Sequence, residues 1–264
     1  MSGVVTLAAT AEGHGPALIF LHGLYGSGNN WRGIARACLD DHQVLLPDLR
    51  NHGRSPHDPD MDYRRMAADV VALMDARGIE RARLVGHSMG GKVAMTLALC
   101  HPTRVERAMV VDIAPIAYDH SAEHGGIIAA LQGLDTRGID NREQADAALA
   151  AAIPSAMVRQ FLLTNLQRRN SGWTWRIPLD ILADQLPVIQ GWPLPNLENQ
   201  QTPLLFLHGG ASDYVDARGR AAIARQFPEA SVEAIAGAGH WVHAEAPAAF
   251  SERLRHFLVS NPPT

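Results

Sequence analysis

Lysine is almost absent from this chain: Lys92 is the single one among 23 basic residues. Such usage fits a GC-rich bacterial genome and marks no mechanism. Cysteine is nearly as scarce, with Cys38 and Cys100 the only two in 264 residues. That pair supports neither a disulfide framework nor a zinc site, so two buried thiols and no bound metal are expected. No apolar run approaches the roughly 20 residues a bilayer-crossing helix needs, so no membrane partner is expected. Basic charge is not in surplus either. The formal net charge is −4 and the arginines are scattered, which argues against a nucleic acid partner and leaves a small molecule. The opening MSGVVTLAATAEGHG lacks the basic segment and apolar core of an export signal, so a cytoplasmic protein is expected.

What is present is an ordinary globular composition, 47% hydrophobic and 19% charged. Short apolar, β-branched runs recur at residues 4–9, 17–23, 43–49, 82–88, 108–113, 203–209 and 231–237. Helical patterns separate most of them, at 29–40, 62–78, 89–101, 216–227 and 245–259. Strands alternating with amphipathic helices predict an α/β fold with a doubly wound, mainly parallel sheet. Residues 116–200 break the alternation, being Ala-rich and then carrying Trp and Pro. They read as a helical cap inserted in a single domain of 264 residues, with the substrate pocket beneath it.

In such sheets the ligand site lies at the C-terminal ends of the strands, and here those ends read HGL, DLR, GHS, DIAP, HGG and GAGH. The stretch ARLVGHSMGGKVAM (82–95) contains G-x-S-x-G between a strand pattern and a helix pattern. A sharp turn there lifts a serine hydroxyl above the sheet, and flanking glycines let the backbone pass closely. Ser88 is therefore the candidate nucleophile. A serine needs a base, and His240, in the Gly-rich loop AGAGHWVHAEAP after the last predicted strand, stands where the chain order serine, acid, histidine delivers one. His243 reads as packing. The backbone N–H groups of Leu24 and Met89 are the candidate oxyanion hole, because charge grows on the substrate carbonyl oxygen in the transition state. His22 reads as a prop for its loop.

Two carboxylates compete to orient His240. Asp112 ends the strand before the insertion, and Asp213 follows the strand after it. In a Gly-x-x-Asp-x-x-Val pattern counted from Gly209, Ser212 occupies the acid slot; counted from Gly210, Asp213 occupies it but Val215 is misplaced. Asp112 is preferred and Asp213 is the alternative. Asp48 reads as part of a turn. Lys92 lies one helical turn beyond Ser88, one residue too far for S-x-x-K chemistry, and is assigned a salt bridge or a solvated face. Trp173, Trp175 and Trp192 are candidates to line an apolar substrate channel.

The blocks LHGLYGSGNNW, DLRNHGRSP, GHSMGGK, DIAP, GGASDYV and GAGHWVHAE, which run from residue 21 to 245, resemble the α/β-hydrolase superfamily. Within it they are similar to the small bacterial YbfF-type esterases and their mitochondrial relatives. That branch has Ser in the later acid slot and is thought to use the DIAP aspartate, which Ser212 and Asp112 match; Asp213 departs from it. The resemblance implies a serine hydrolase acting on carboxylic esters or acyl thioesters through an acyl-enzyme, without a cofactor. On the same scaffold the rivals are a cofactor-free haloperoxidase-like or carbon–carbon bond hydrolase and a silent ligand-binding member.

Overall fold

A computed structural model describes residues 3–170, 172–199 and 201–259. Strands β1 (Ala9–Glu12), β2 (Ala17–Leu21) and β3 (Gln43–Pro47) come first, with the one-turn helix α1 (Arg32–Ala35) between the last two. Then follow α2 (Tyr63–Ala76), β4 (Ala82–His87), α3 (Met89–Cys100) and β5 (Val105–Val111). The insertion comprises α4 (Ser121–Gly133), α5 (Arg142–Leu149), α6 (Ala156–Leu163), β6 (Leu166–Arg169), β7 (Gly172–Trp175) and α7 (Leu179–Gln190). The chain then returns to the sheet with β8 (Leu204–Gly209), α8 (Ala217–Gln226), β9 (Ser231–Ile235), α9 (Val242–Glu245) and α10 (Pro247–Val259).

The main sheet has the order β1-β3-β2-β4-β5-β8-β9. Only the β1 edge pairs antiparallel; the other neighbours are parallel. Alternating side chains of one strand serve two cores, as the two-residue strand period requires. Ile19, Leu21, Leu84 and Phe206 pack with Val70 of α2, Val93 of α3 and Ile223 of α8. Leu18, Phe20, Val85 and Leu207 pack with Ile34 of α1 and with Phe250 and Leu254 of α10. Helices on both faces explain why β2 and β8 are buried along their whole length.

Three expectations are corrected. The first strand is Ala9–Glu12 rather than 4–9, because Val5 and Ala8 give their N–H groups to the Asp69 carboxylate and the Ser55 hydroxyl instead of to a neighbouring strand. The helix expected over 29–40 is broken into 3-10 turns at Gly28–Trp31 and Arg36–Cys38 flanking α1. The insertion is not helical throughout, since β6 and β7 form an antiparallel ribbon.

Candidate active site

The close approach that the glycines imply is present. Ser88 sits between β4 and α3 at φ 52°, ψ −116°, in the region non-glycine residues rarely occupy. Its N–H donates to the carbonyl of Val111 at 3.0 Å, fixing the turn to β5. A Cβ on Gly86 would lie 2.2 Å from the Gly90 oxygen, and one on Gly90 would lie 2.3 Å from the Leu21 oxygen. Larger residues at these positions would push the turn off the sheet.

Asp112 follows β5, also at positive φ (51°), with its side chain fully buried. Its Oδ1 accepts the N–H of Gly209 at 2.8 Å, and its Oδ2 accepts the Ser212 hydroxyl and faces His240 Nδ1 at 2.7 Å. A carboxylate there is an acceptor, so Nδ1 carries the imidazole proton and Nε2 keeps its lone pair. Asp213 is exposed on the wall of the cavity described below, and among the described residues the carboxylate hydrogen-bonded to His240 is that of Asp112. The ring of Tyr214 stacks on the His240 ring with centroids 3.9 Å apart and planes 22° from parallel. His87 Nε2 donates to the His240 carbonyl at 2.9 Å. Burial holds the His87 pKa well below that of free histidine, so it serves as a neutral donor.

Ser88 and His240 line one cavity of about 1090 Å³, together with Leu24, Tyr25 and Asp213. Helix α6 contributes Met157, Val158, Phe161 and Leu162 to its wall, the last three at i, i+3, i+4 spacing. Trp241 packs against Phe161 at 5.0 Å between centroids and lines the cavity too. The expected tryptophans do not. Trp173 donates to the Asp140 carbonyl, Trp175 to the Leu131 carbonyl and Trp192 to the Gln226 side chain, so their indoles tie segments together away from the cavity lining. The apolar i, i+3, i+4 face of α6 was the signal that sequence reasoning passed over. Tyr214 carried no signal of its own beyond its place next to Asp213.

The loop bearing Leu24 is braced by two histidines. His22 Nε2 accepts the N–H of Leu49, and His52 Nε2 accepts the N–H of Tyr25; the Nδ1 atoms donate to the carbonyls of Gly23 and Arg50. Burial lowers His22 to about 4 and His52 to about 3, so both stay neutral, as accepting at Nε2 requires. Asp48 fills its turn, accepting from the N–H groups of Gly28 and Arg54. Among the described residues neither the Leu24 nor the Met89 amide donates to a backbone acceptor, and Met89 opens α3, where the helix leaves its first N–H groups free. Lys92 departs from the salt bridge or solvated face assigned to it. It is 2% exposed, and its Nζ donates to the carbonyls of Gln190 at 3.0 Å and Gly191 at 2.7 Å, over the rings of Tyr63 and Tyr118.

A family model for the alpha/beta hydrolase fold matches residues 16–247. The chain belongs to the alpha/beta hydrolase family. It is 41% identical over 250 residues to the mouse sn-1-specific diacylglycerol lipase ABHD11, covering 92% of this chain and 81% of that one. To Esterase YbfF of Escherichia coli K12 it is 40% identical over 242 residues, covering 91% and 92%. Among solved structures, a marine microorganism esterase superposes with a TM-score of 0.90 at 38% identity, over 96% of this chain and 99% of that one. This member of the family is accordingly a hydrolase of carboxylic esters.

Proposed function

We propose that the chain cleaves small-molecule esters, or acyl thioesters, in two steps with Ser88 as nucleophile, His240 as general base and Asp112 as the group that orients and charge-balances His240. Ser88 Oγ bonds to the substrate carbonyl carbon while its proton passes to His240 Nε2. The amides of Leu24 and Met89 hold the developing oxyanion, each donor being worth about 3 kcal/mol in such sites. Collapse breaks the bond to the leaving group, which takes the proton from His240. Water then repeats the sequence on the acyl-enzyme.

The observation that carries this reading is the 2.7 Å contact between His240 Nδ1 and a buried, fully engaged Asp112, on a cavity that Ser88 shares. Residues 116–200 act as a cap over the site, a reading supported by the four α6 residues in the cavity wall. Cys38 and Cys100 are free thiols, in keeping with work in the reducing cytoplasm.

Fluorophosphonate labelling tests the proposal, since only an activated serine reacts. Labelling at Ser88, with loss of label and at least about a thousandfold loss of kcat in Ser88→Ala, is the expected result. A normal rate on p-nitrophenyl acetate in that variant would remove Ser88 from the chemistry.

A further inference from the structure

Ser88 stands at the junction of two spaces of very different size. The large cavity holds His240. Ser88 also lines a second, small space of about 40 Å³, bordered by Met89, Lys92, Tyr63, Ile113, Tyr118 and Ile189 among others. Leu24, His120, His124 and Tyr214 border both spaces.

We propose that the small chamber is the acyl subsite and admits only short acyl groups, of about two to four carbons, since each water-sized volume accepts about one methylene. The proposal rests on the reading of Ser88 and His240 as nucleophile and base. Their chemistry sets the orientation. His240 returns its proton to the leaving oxygen, so the leaving group must lie on the side of the serine that His240 lines, which is the large cavity. The carbonyl substituent that stays on Ser88 after the carbon–oxygen bond breaks then points the other way, past Met89. Met89 borders the small chamber, and among its described lining residues His240 is absent.

The lining of that small space is not one that yields easily. Lys92 Nζ binds the carbonyls of Gln190 and Gly191, the Tyr63 hydroxyl donates to the carbonyl of Ile189, and the Tyr118 hydroxyl donates to Tyr214 O at 2.6 Å while accepting from Ala114 N. Lengthening the acyl chain would require breaking these buried bonds, each of which leaves an unsatisfied polar group. The large cavity has no such limit, so a bulky alcohol is the natural second half of the substrate.

The test holds the alcohol constant and varies the acyl chain: kcat/KM for p-nitrophenyl acetate, butyrate, hexanoate and octanoate. A fall of about tenfold or more from acetate to hexanoate is expected, the scale on which a small apolar pocket discriminates extra methylenes. Ile189→Ala shortens a side chain that lines the small space, and it should raise the hexanoate-to-acetate ratio by about tenfold. Hexanoate and octanoate cleaved as fast as acetate by the wild type would overturn the subsite, whether or not that variant folds. The underlying reading fails differently: no fluorophosphonate label on Ser88 and no turnover of any ester. A labelled enzyme that favours long chains loses only the acyl assignment.

Discussion

Asp112 and Asp213 are equivalent as residue types and opposite in situation. Asp112 is buried with three donors pointed at it, from Gly209, Ser212 and His240, whereas Asp213 faces solvent at the cavity wall. An amide in place of the Asp112 carboxylate would turn an NH2 group toward Nδ1 and hold His240 in the tautomer that lacks a lone pair at Nε2. Asp112→Asn is therefore expected to lower kcat by about 10³ to 10⁴. Asp213→Asn should leave kcat within about threefold, since an exposed charge is screened. Steady-state kinetics on one chromogenic ester ranks the two, and the reverse order would transfer the role to Asp213. Motif spacing left both acids standing because it counts residues along the chain; what separates them is that Ser212, in the later slot, gives its hydroxyl to the earlier aspartate. The same limit applied to the tryptophans. Their size suggested a pocket lining, but each indole N–H found an acceptor in a neighbouring segment.

At the level of elements, the sheet was legible because buried parallel strands leave continuous apolar runs and the loops after them carry polar residues. Leu-Leu-Phe-Leu of β8 is such a run. The insertion was less legible. Gly172–Trp175 is four residues long, and its partner Leu166–Arg169 is mostly polar, so neither shows a strand pattern until the two are paired. Lys92 is the other surprise, a charged residue that joins α3 to the end of α7 from the interior. Burial drops its pKa to about 7, while a lysine in the unfolded chain keeps its proton to about 10.4. Between those values the unfolded chain binds the extra proton, so stability rises with pH; below about 7 the folded state bears the full cost of the buried charge. From pH 7 to 9 the wild type should gain about 2 to 3 kcal/mol relative to Lys92→Met, which cannot titrate. Urea unfolding of both proteins at the two pH values measures this difference directly, and parallel curves would mean that Lys92 stays protonated in the fold.

Across the whole molecule the opposite end of the pH scale is governed by histidine. His22 and His52 are 1% and 0% exposed, and they link the loop after β2 to the turn after β3 through acceptor nitrogens that cannot also hold a proton. In the unfolded chain these imidazoles protonate near pH 6.5, whereas in the fold they stay neutral down to about 4 for His22 and about 3 for His52. Their contribution is therefore fully present above about pH 6.5 and is lost progressively as the pH falls toward those folded values. At pH 5 each has cost the fold about 2 kcal/mol relative to pH 7, about 4 kcal/mol for the pair. The expected observation is a clear drop in urea unfolding free energy between pH 7 and pH 5. His52→Gln keeps an acceptor for the Tyr25 amide and removes one titrating group, so its drop should be smaller by about 2 kcal/mol. Activity should follow the same limb, because the braced loop carries Leu24, the proposed oxyanion donor, and a loop freed by protonation would no longer hold that amide in place. Unfolding free energies that are level from pH 7 to 5, or an unchanged slope in His52→Gln, would show that the two rings titrate normally in the fold.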